Sequence, residues 1–396
     1  MFPEPRMPYS RVMTDVDPVV VLVALAMVVL TALWLESHVG AFKRLGAAAT
    51  AILMALVLSN VGLIPGTSPV YDFLMGRGVL AGIILVLLSV NLSSLRQAGR
   101  TMLVAFAIGA VGSAVGAVVM AVLVNRSVGP ETWKLSGQFT ATYIGGGMNY
   151  AAVGQELQTR SDLFAAGIAA DVIVTAIWLV ACLVIPEMFP RRSDTAADVV
   201  SNRASAASEA GDNLAARLRG SGVPMTLMDF AGLTVVTLGT IWATDLCTAW
   251  FPVIPRVIWL TTLALAVAQL PVTRTLSGSL VLGNFLLLLF LASNGAKSVI
   301  ARIVEVGPAI FYFAAGTVAI HGVIIFGVGR LLKFSGDVLS IASQANVGGA
   351  TTAMSLAASR RRPDLILPGV AVGMLGNAIG NYAGIAIAYV AKGLIG

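Results

Sequence analysis

One carboxylate inside an apolar run and two glycine motifs carry the residue types in this sequence that could do chemistry. Asp171 lies inside the apolar run 163–185. A carboxylate at the centre of such a run costs roughly 2.5–3.5 kcal/mol in a bilayer and is typical of an ion or proton path. A protonated Asp with a purely structural hydrogen bond is the alternative. We predict that Asp171 binds a coupling ion, H⁺ or Na⁺, and that no resident cofactor is needed.

The two glycine motifs occur once in each half of the chain, at residues 138–149 and 343–352. Paired glycines flanked by Asn, Gln and Thr are expected to unwind a helix. Unwound backbone at membrane depth is tolerated only inside protein or along a cavity. Matching interruptions in two halves are typical of a secondary transporter's binding site. Close helix packing is the alternative, although packing alone does not need Asn and Gln on both sides of the glycines.

The candidate site residues fall into two predicted sets. Oxygen-bearing side chains suit a weakly held hard cation such as Na⁺, and no other metal is expected. The predicted cation set is Asp171, Asn149, Thr142, Gln344, Asn346 and Thr351. Half-helix N-termini carry partial positive charge, so their backbone N–H groups favour an anionic solute. The predicted solute set is Gly145, Gly146, Gly147, Gly348, Gly349, Thr352 and Asn377.

The remaining reactive residue types predict no enzyme. No zinc-protease, nucleophile-elbow or phosphate-loop motif is present, and the chain has only two histidines. His321 could shuttle protons, but a neutral structural histidine is the favoured interpretation. Cys182 and Cys247 lie in apolar runs without metal-ligand spacing, which predicts inert thiols.

The elements that must position these residues are membrane helices. The chain has 396 residues, of which 57% are hydrophobic and 11% charged, against about 25% charged in a soluble domain. The net charge of +6 comes from basic residues at segment ends, so we expect no nucleic-acid partner. Runs long enough to cross a bilayer lie at 18–35, 46–64, 74–90, 102–124, 163–185, 225–250, 257–272, 280–296, 309–331 and 365–390. With the two glycine segments, these predict an all-α polytopic membrane protein of about twelve segments.

The order of landmarks predicts two duplicated halves around a polar linker. We expect an N-terminal tail at 1–17, membrane repeats at 18–189 and 224–396, and the linker at 190–223. The pairs Gly145-Gly146 and Gly348-Gly349 align. Further downstream Asp162 aligns with Asp364 and Gly167 with Gly369, and this register places Asp171 opposite Gly373. Each half has about five or six segments. Six crossings in each half would make the repeats parallel, so inversion requires re-entrant glycine segments or one miscounted segment in each half. We favour inversion with re-entrant or broken glycine segments. The first two segments of each half are expected to form a scaffold, and the last four a core.

Location and partners follow from charge and hydropathy. The linker holds five arginines, Arg191, Arg192, Arg203, Arg217 and Arg219, which predicts a cytoplasmic position. We therefore expect a multi-pass protein of the inner (plasma) membrane. Its expected partners are the lipid bilayer and a small-molecule solute, and the pattern leaves a homodimer open.

At the glycine motifs the sequence resembles the family of membrane proteins catalogued as domain of unknown function 819. The resemblance rests on residues 142–149, on 345–352 and on Ala169-Ala170-Asp171, and it covers most of the chain. Members often carry proline where this chain has Ala350, and asparagine where it has Val172. More distantly, the layout is similar to the superfamily of bile-acid/sodium symporters and sodium/proton antiporters. That likeness implies cation-coupled transport by alternating access, as an analogy.

These observations together predict a secondary active transporter that moves a small, anionic organic solute coupled to Na⁺ or H⁺. Symport and antiport both remain open. The alternatives are a passive channel or facilitator, which would show no uphill accumulation, and a membrane receptor or assembly factor that moves nothing.

Overall fold

The computed structural model describes residues 16–90, 92, 98–188 and 224–395, and the predicted linker lies outside them. The described residues form helices without a strand. The first half contains α1 (Pro18–His38), α2 (Gly40–Asn60), α3 (Pro69–Leu87), α4 (Gly99–Val128), α5 (Thr132–Gly145), α6 (Gly147–Glu156) and α7 (Ser161–Val184). The second half contains α8 (Leu227–Trp250), α9 (Arg256–Ala268), α10 (Ser279–Lys297), α11 (Ile300–Leu331), α12 (Gly336–Val347), α13 (Gly349–Ser359) and α14 (Ile366–Ile395).

The apolar runs of the sequence are confirmed as helices. Among the described residues, eight helices are long and apolar enough to cross a membrane, and two shorter ones lie at Leu45–Asn60 and Arg256–Ala268. Polar caps mark several of their starts. Thr226 and Asp229 form a capping box at the start of α8, and Asp17 caps α1 ahead of Pro18.

The first glycine motif forms a helical hairpin, in which α5 and α6 run antiparallel. Near the tip, Gln138 Nε2 donates to the Tyr150 carbonyl at 3.4 Å. At the base, Lys134 Nζ donates to the Gln158 carbonyl at 3.0 Å, and the Arg160 N–H donates to Glu131 Oε2 at 3.0 Å. The two ends of the motif segment therefore lie at one side of the molecule, with the glycines at the far end.

The second glycine motif forms an equivalent hairpin from α12 and α13. Asp337, in the first turn of α12, accepts from Arg360 Nε and from Arg362 Nη1, each at 2.8 Å. Both arginines follow the end of α13, so the base of this hairpin is held by ion pairs. The chain thus uses charged residues at the base of each hairpin to bring its two half-helices together.

The bases of the two hairpins lie near opposite ends of α7. Glu131 and Arg160, at the base of the first, lie next to the start of α7. Arg360, at the base of the second, donates to the carbonyl of Leu183 at the end of α7, at 2.9 Å. Since α7 has 24 residues, its two ends are about 36 Å apart. We name the side with Glu131, Arg160 and Ile395 the terminal face, and the side with Leu183, Glu187 and Arg360 the linker face.

The helices pack into two groups, with the division one segment later than the sequence predicted. Helices α1, α2 and α3 pack with α8, α9 and α10, and we call this group the scaffold. Helices α4–α7 and α11–α14 form the second group, the core. The third segment of each half belongs to the scaffold because Gly82 of α3 and Gly283 of α10 let the two backbones approach closely. A Cβ on Gly82 would lie 3.2 Å from the Gly283 carbonyl.

Candidate functional site

Each hairpin tip is a break that only glycine adopts readily. Gly146 has φ 85° and Gly349 has φ 79°, so the second glycine of each aligned pair lies in the left-handed region. The Gly146 N–H donates to the Thr142 carbonyl at 2.7 Å, and the Gly348 N–H to the Gln344 carbonyl at 2.8 Å. These two N–H groups therefore complete the helix before the break. Gly147 and Gly349 begin the half-helices α6 and α13.

The first tip is docked on α14. A Cβ on Gly145 would lie 2.5 Å from the Gly376 carbonyl, and one on Gly376 would lie 3.3 Å from the Gly145 Cα. Asn149 Nδ2 donates to the Gly376 carbonyl at 3.4 Å, and its Oδ1 has no partner. Asn377 follows on the same helix and faces Gly146. The helix after the second motif therefore supports the tip of the first.

Asp171 faces this first hairpin from the middle of α7. Its Oδ2 accepts from Thr142 Oγ1 at 3.5 Å, and its Oδ1 accepts from Thr175 Oγ1 at 3.4 Å. The phenol of Tyr143 lies beside it. Within the described ranges no lysine or arginine forms an ion pair with it. The carboxylate thus has only weakly bonded hydroxyl neighbours, an arrangement that can accept a proton or a small cation.

The second hairpin carries buried amides without partners. Gln344 and Asn346 are fully buried, and neither the oxygen nor the nitrogen of either amide makes a hydrogen bond. Asn346 lies against Gly109 of α4 and close to His321, whereas Gln344 lies beside Gly348 and Thr352. Buried amides normally find partners, so these two side chains have hydrogen-bonding capacity left for a polar ligand.

His321 connects the two hairpins through a chain of hydrogen bonds. Its Nδ1 lies 2.8 Å from the Gly109 carbonyl and 3.0 Å from Ser113 Oγ, and its Nε2 lies 2.8 Å from Ser343 Oγ. Ser113 Oγ also donates to the Tyr143 carbonyl at 2.7 Å, just before the first break. Trp178 Nε1 of α7 donates to Ser343 Oγ at 2.9 Å. The residues near both breaks are therefore tied to one buried imidazole.

The predicted site residues are brought together only in part. Asp171 and Thr142 are in contact. Asn149, Gly145 and Gly146 lie against α14, the helix that carries Asn377, whereas a Cβ on Gly147 would meet nothing within 4 Å. Gln344, Asn346 and Thr352 belong to the second hairpin and bond to neither Asp171 nor Asn149. Thr351 is exposed on α13. The predicted cation and solute residues therefore lie around the tips of two hairpins and do not surround a single ion position.

Several residues of the site were missed from the sequence. Thr175 lies one helical turn after Asp171, so its spacing was a usable signal. Ser113, Ser343 and Trp178 gave no signal, because their partners lie up to 208 residues away and small hydroxyl residues are common in membrane helices.

A multi-pass helical membrane protein with two glycine-tipped hairpins is the class that this fold and site define. The chain belongs to the family described as protein of unknown function DUF819, whose model matches residues 20–394. It is similar to the uncharacterized membrane protein YjcL of Bacillus subtilis (strain 168), with 28% identity over 374 residues. That match covers 89% of this chain and 93% of the relative. The family expected from the glycine motifs is confirmed.

Proposed function

We propose that this protein is a secondary active transporter that moves a small, anionic organic solute coupled to Na⁺ or H⁺. The observation that carries the proposal is Asp171. It is a carboxylate within a membrane-crossing helix, facing a helix break and bonded only to hydroxyl groups. A residue as costly as this in a bilayer is retained where an ion or proton binds.

The topology supports alternating access. Each half has four helices long enough to cross a membrane, one shorter apolar helix and one hairpin whose two ends lie on the same side. We infer that the shorter helices also cross, which gives five crossings in each half, and that the hairpins are re-entrant and the halves duplicated. An odd number of crossings inverts the second half relative to the first, as in many transporters with internal repeats. This arrangement strengthens the analogy with the bile-acid/sodium symporter and sodium/proton antiporter superfamily, and it remains an analogy.

The roles follow from the chemistry of each tip. We assign the coupling ion to Asp171 with the hydroxyls of Thr142 and Thr175. We assign the solute to the region between the tips, where α6 and α13 begin. Both half-helices, of 10 and 11 residues, direct the positive end of their dipoles towards this region, which favours an anionic group. The amides of Asn149, Gln344 and Asn346 supply neutral hydrogen bonds.

The orientation is inferred from charge. On one side of the linker the described chain ends at Met188, which follows α7 at the linker face, and it resumes at Pro224, three residues before α8. The five arginines of the linker favour the cytoplasmic side of an inner or plasma membrane. Both termini of the membrane domain, Pro18 and Ile395, then lie on the outer side.

The experiment that tests the ion site is thermal unfolding of the purified protein in Na⁺, K⁺ or choline across a range of pH. A ligand that binds only the folded state adds RT ln(1 + [L]/Kd), which is about 1.4 kcal/mol when the ion is at about ten times its Kd. We expect either stabilisation by Na⁺ or a change across pH, and we expect Asp171→Asn to abolish it.

Asp72→Asn is the matched control, because Asp72 is exposed and pairs with Lys297 on the surface of the scaffold. The stability of the Asp72→Asn variant should respond to Na⁺ and to pH as that of the unaltered protein does. A protein whose stability responds to neither Na⁺ nor pH, or an Asp171→Asn variant with an unchanged response, contradicts the ion site. Uptake that runs only down its gradient would instead indicate a facilitator.

A further inference from the structure

The two hairpins differ in what covers them, although their positions correspond. Aligned on Gly146 and Gly349, the helix face formed by Met148, Ala152 and Glu156 of α6 corresponds to the face formed by Thr351, Ser355 and Ser359 of α13. The α6 face is covered: Ala152 is 2% exposed, and α6 packs against α3 and α9 of the scaffold.

The corresponding face of α13 is open. Thr351, Ser355 and Ser359 are all exposed, and their spacing of four residues puts three hydroxyls in a line along one side of the helix. In the part of the chain that the structure describes, α13 packs mainly against α7, α12 and α14, which all belong to the core. The line runs from the tip of the hairpin, at the depth of the break, to its base on the linker face.

The terminal face is sealed by polar contacts between scaffold and core. Glu156, at the end of α6, accepts from the backbone N–H of Arg256 at 2.9 Å and of Val257 at 3.1 Å. The N-cap residue of α9, Pro255, makes no side-chain cap, so the carboxylate of Glu156 takes that role from the other domain. Ser298 Oγ of the scaffold also donates to the Ser161 carbonyl at 2.9 Å.

We propose that the protein is in a conformation open to the linker face, and that the hydroxyl line Thr351–Ser355–Ser359 lines the water-filled route by which solute reaches the hairpin tips. The proposal rests on the proposed transport function and names the route to that site. Ser355 Oγ and Ser359 Oγ donate to the carbonyls four residues earlier, at 3.0 and 2.8 Å, and their exposed oxygens can still accept from water. The line begins beside a helix break, and broken backbone at membrane depth is tolerated only inside protein or along a water-filled cavity. In the opposite conformation the repeat symmetry would cover α13 with the scaffold and release Glu156 from α9.

The test is thiol accessibility, which needs no knowledge of the solute. Ser355→Cys and its counterpart Ala152→Cys are made separately in a chain lacking Cys182 and Cys247. Each variant is treated with a membrane-impermeant methanethiosulfonate reagent in right-side-out and in inside-out vesicles. We expect Ser355→Cys to react from the linker face at least about tenfold faster than Ala152→Cys reacts from either face, because modification requires water at the thiol.

A second pair keeps the test decisive if the added sulfur at the buried Ala152 prevents folding. Thr351→Cys and Met148→Cys occupy corresponding positions nearer the tips, and they should show the same contrast. Glu156→Ala removes the cap of α9 and should raise the reactivity of the α6 position from the terminal face about 2- to 30-fold, the change expected for a lost helix cap.

Two kinds of result would overturn the proposal. Ser355→Cys that reacts only with a membrane-soluble maleimide would place the hydroxyl line in lipid. Equal reactivity of the cysteines on the two hairpins, or reaction of Ser355→Cys from the terminal face, would mean that the two hairpins do not differ in their access to water as proposed. Neither result would contradict the ion site at Asp171, which thermal unfolding tests separately.

Discussion

At the residue scale, Asp171 and His321 differ in how closely their hydrogen-bonding atoms are partnered. Asp171 is partly exposed, and its two hydroxyl contacts are long, at 3.4 and 3.5 Å. His321 is fully buried, and both ring nitrogens have close partners at 2.8–3.0 Å. The carboxylate therefore has capacity left for an ion, whereas the imidazole fixes the relative positions of α4, α11 and α12.

Replacing His321 should destabilise the protein strongly. His321→Ala leaves a cavity among packed helices and removes a partner of the Ser113 and Ser343 hydroxyls. The expected loss is about 2–4 kcal/mol of unfolding free energy. Thermal unfolding in detergent measures it, with His38→Ala as the control. His38 is exposed at the end of α1, so its replacement should change stability by less than about 0.5 kcal/mol. Equal stabilities of the two variants would exclude the structural role.

The sequence could identify single residues only where they break a pattern. Asp171 was found because it interrupts an apolar run, and the breaks were found because glycine pairs recur in the same order. Glu156 could not be singled out, because a carboxylate near a segment end is ordinary. Its role depends on Arg256, which lies 100 residues further along the chain.

At the element scale, hydropathy predicted the crossing helices but left the glycine segments undecided. A broken crossing helix and a re-entrant hairpin have the same composition and length. The ion pairs of Asp337 with Arg360 and Arg362 join the two ends of one segment, and they support the re-entrant arrangement that we propose. Asp364, beside Arg362, adds a further ion pair at this base. Pairings of this kind are made by the folded chain and are not visible as a period in the sequence.

The docking of the first hairpin on α14 depends on Gly376. A methyl group there would overlap the Ile144 carbonyl, so Gly376→Ala should push the tip away and cost about 1–3 kcal/mol. Gly393→Ala is the control on the same helix, because a Cβ at that position meets nothing within 4 Å. It should leave stability unchanged or raise it by up to about 1 kcal/mol through helix propensity. A Gly376→Ala variant as stable as the control would show that the tip is not held there.

At the scale of the whole molecule, the contact between scaffold and core should depend on pH because it contains the carboxylate of Glu156. Burial raises the pKa of Glu156 above its ordinary value of 4.5, and this effect exceeds the lowering by the Val257 and Arg256 N–H groups and by the charge of Arg256. If the scaffold released α6, Glu156 would meet water and regain its ordinary pKa. The sealed conformation therefore binds the proton more tightly than the released one.

Acidification should for that reason favour the conformation sealed at the terminal face. Well above the raised pKa of Glu156, the populations of the two conformations should not depend on pH. As the pH falls through that value towards 4.5, the population with Glu156 on α9 should increase. The measurement is the reactivity of Ser355→Cys and Ala152→Cys relative to Asp72→Cys, an exposed thiol that corrects for thiol ionisation. Relative reactivity at Ser355→Cys should rise and that at Ala152→Cys should fall, and Glu156→Ala should remove both trends. Trends of the opposite sign would mean that the buried carboxylate, once protonated, releases α9, and that the hydrogen bonds from Arg256 and Val257 outweigh its burial.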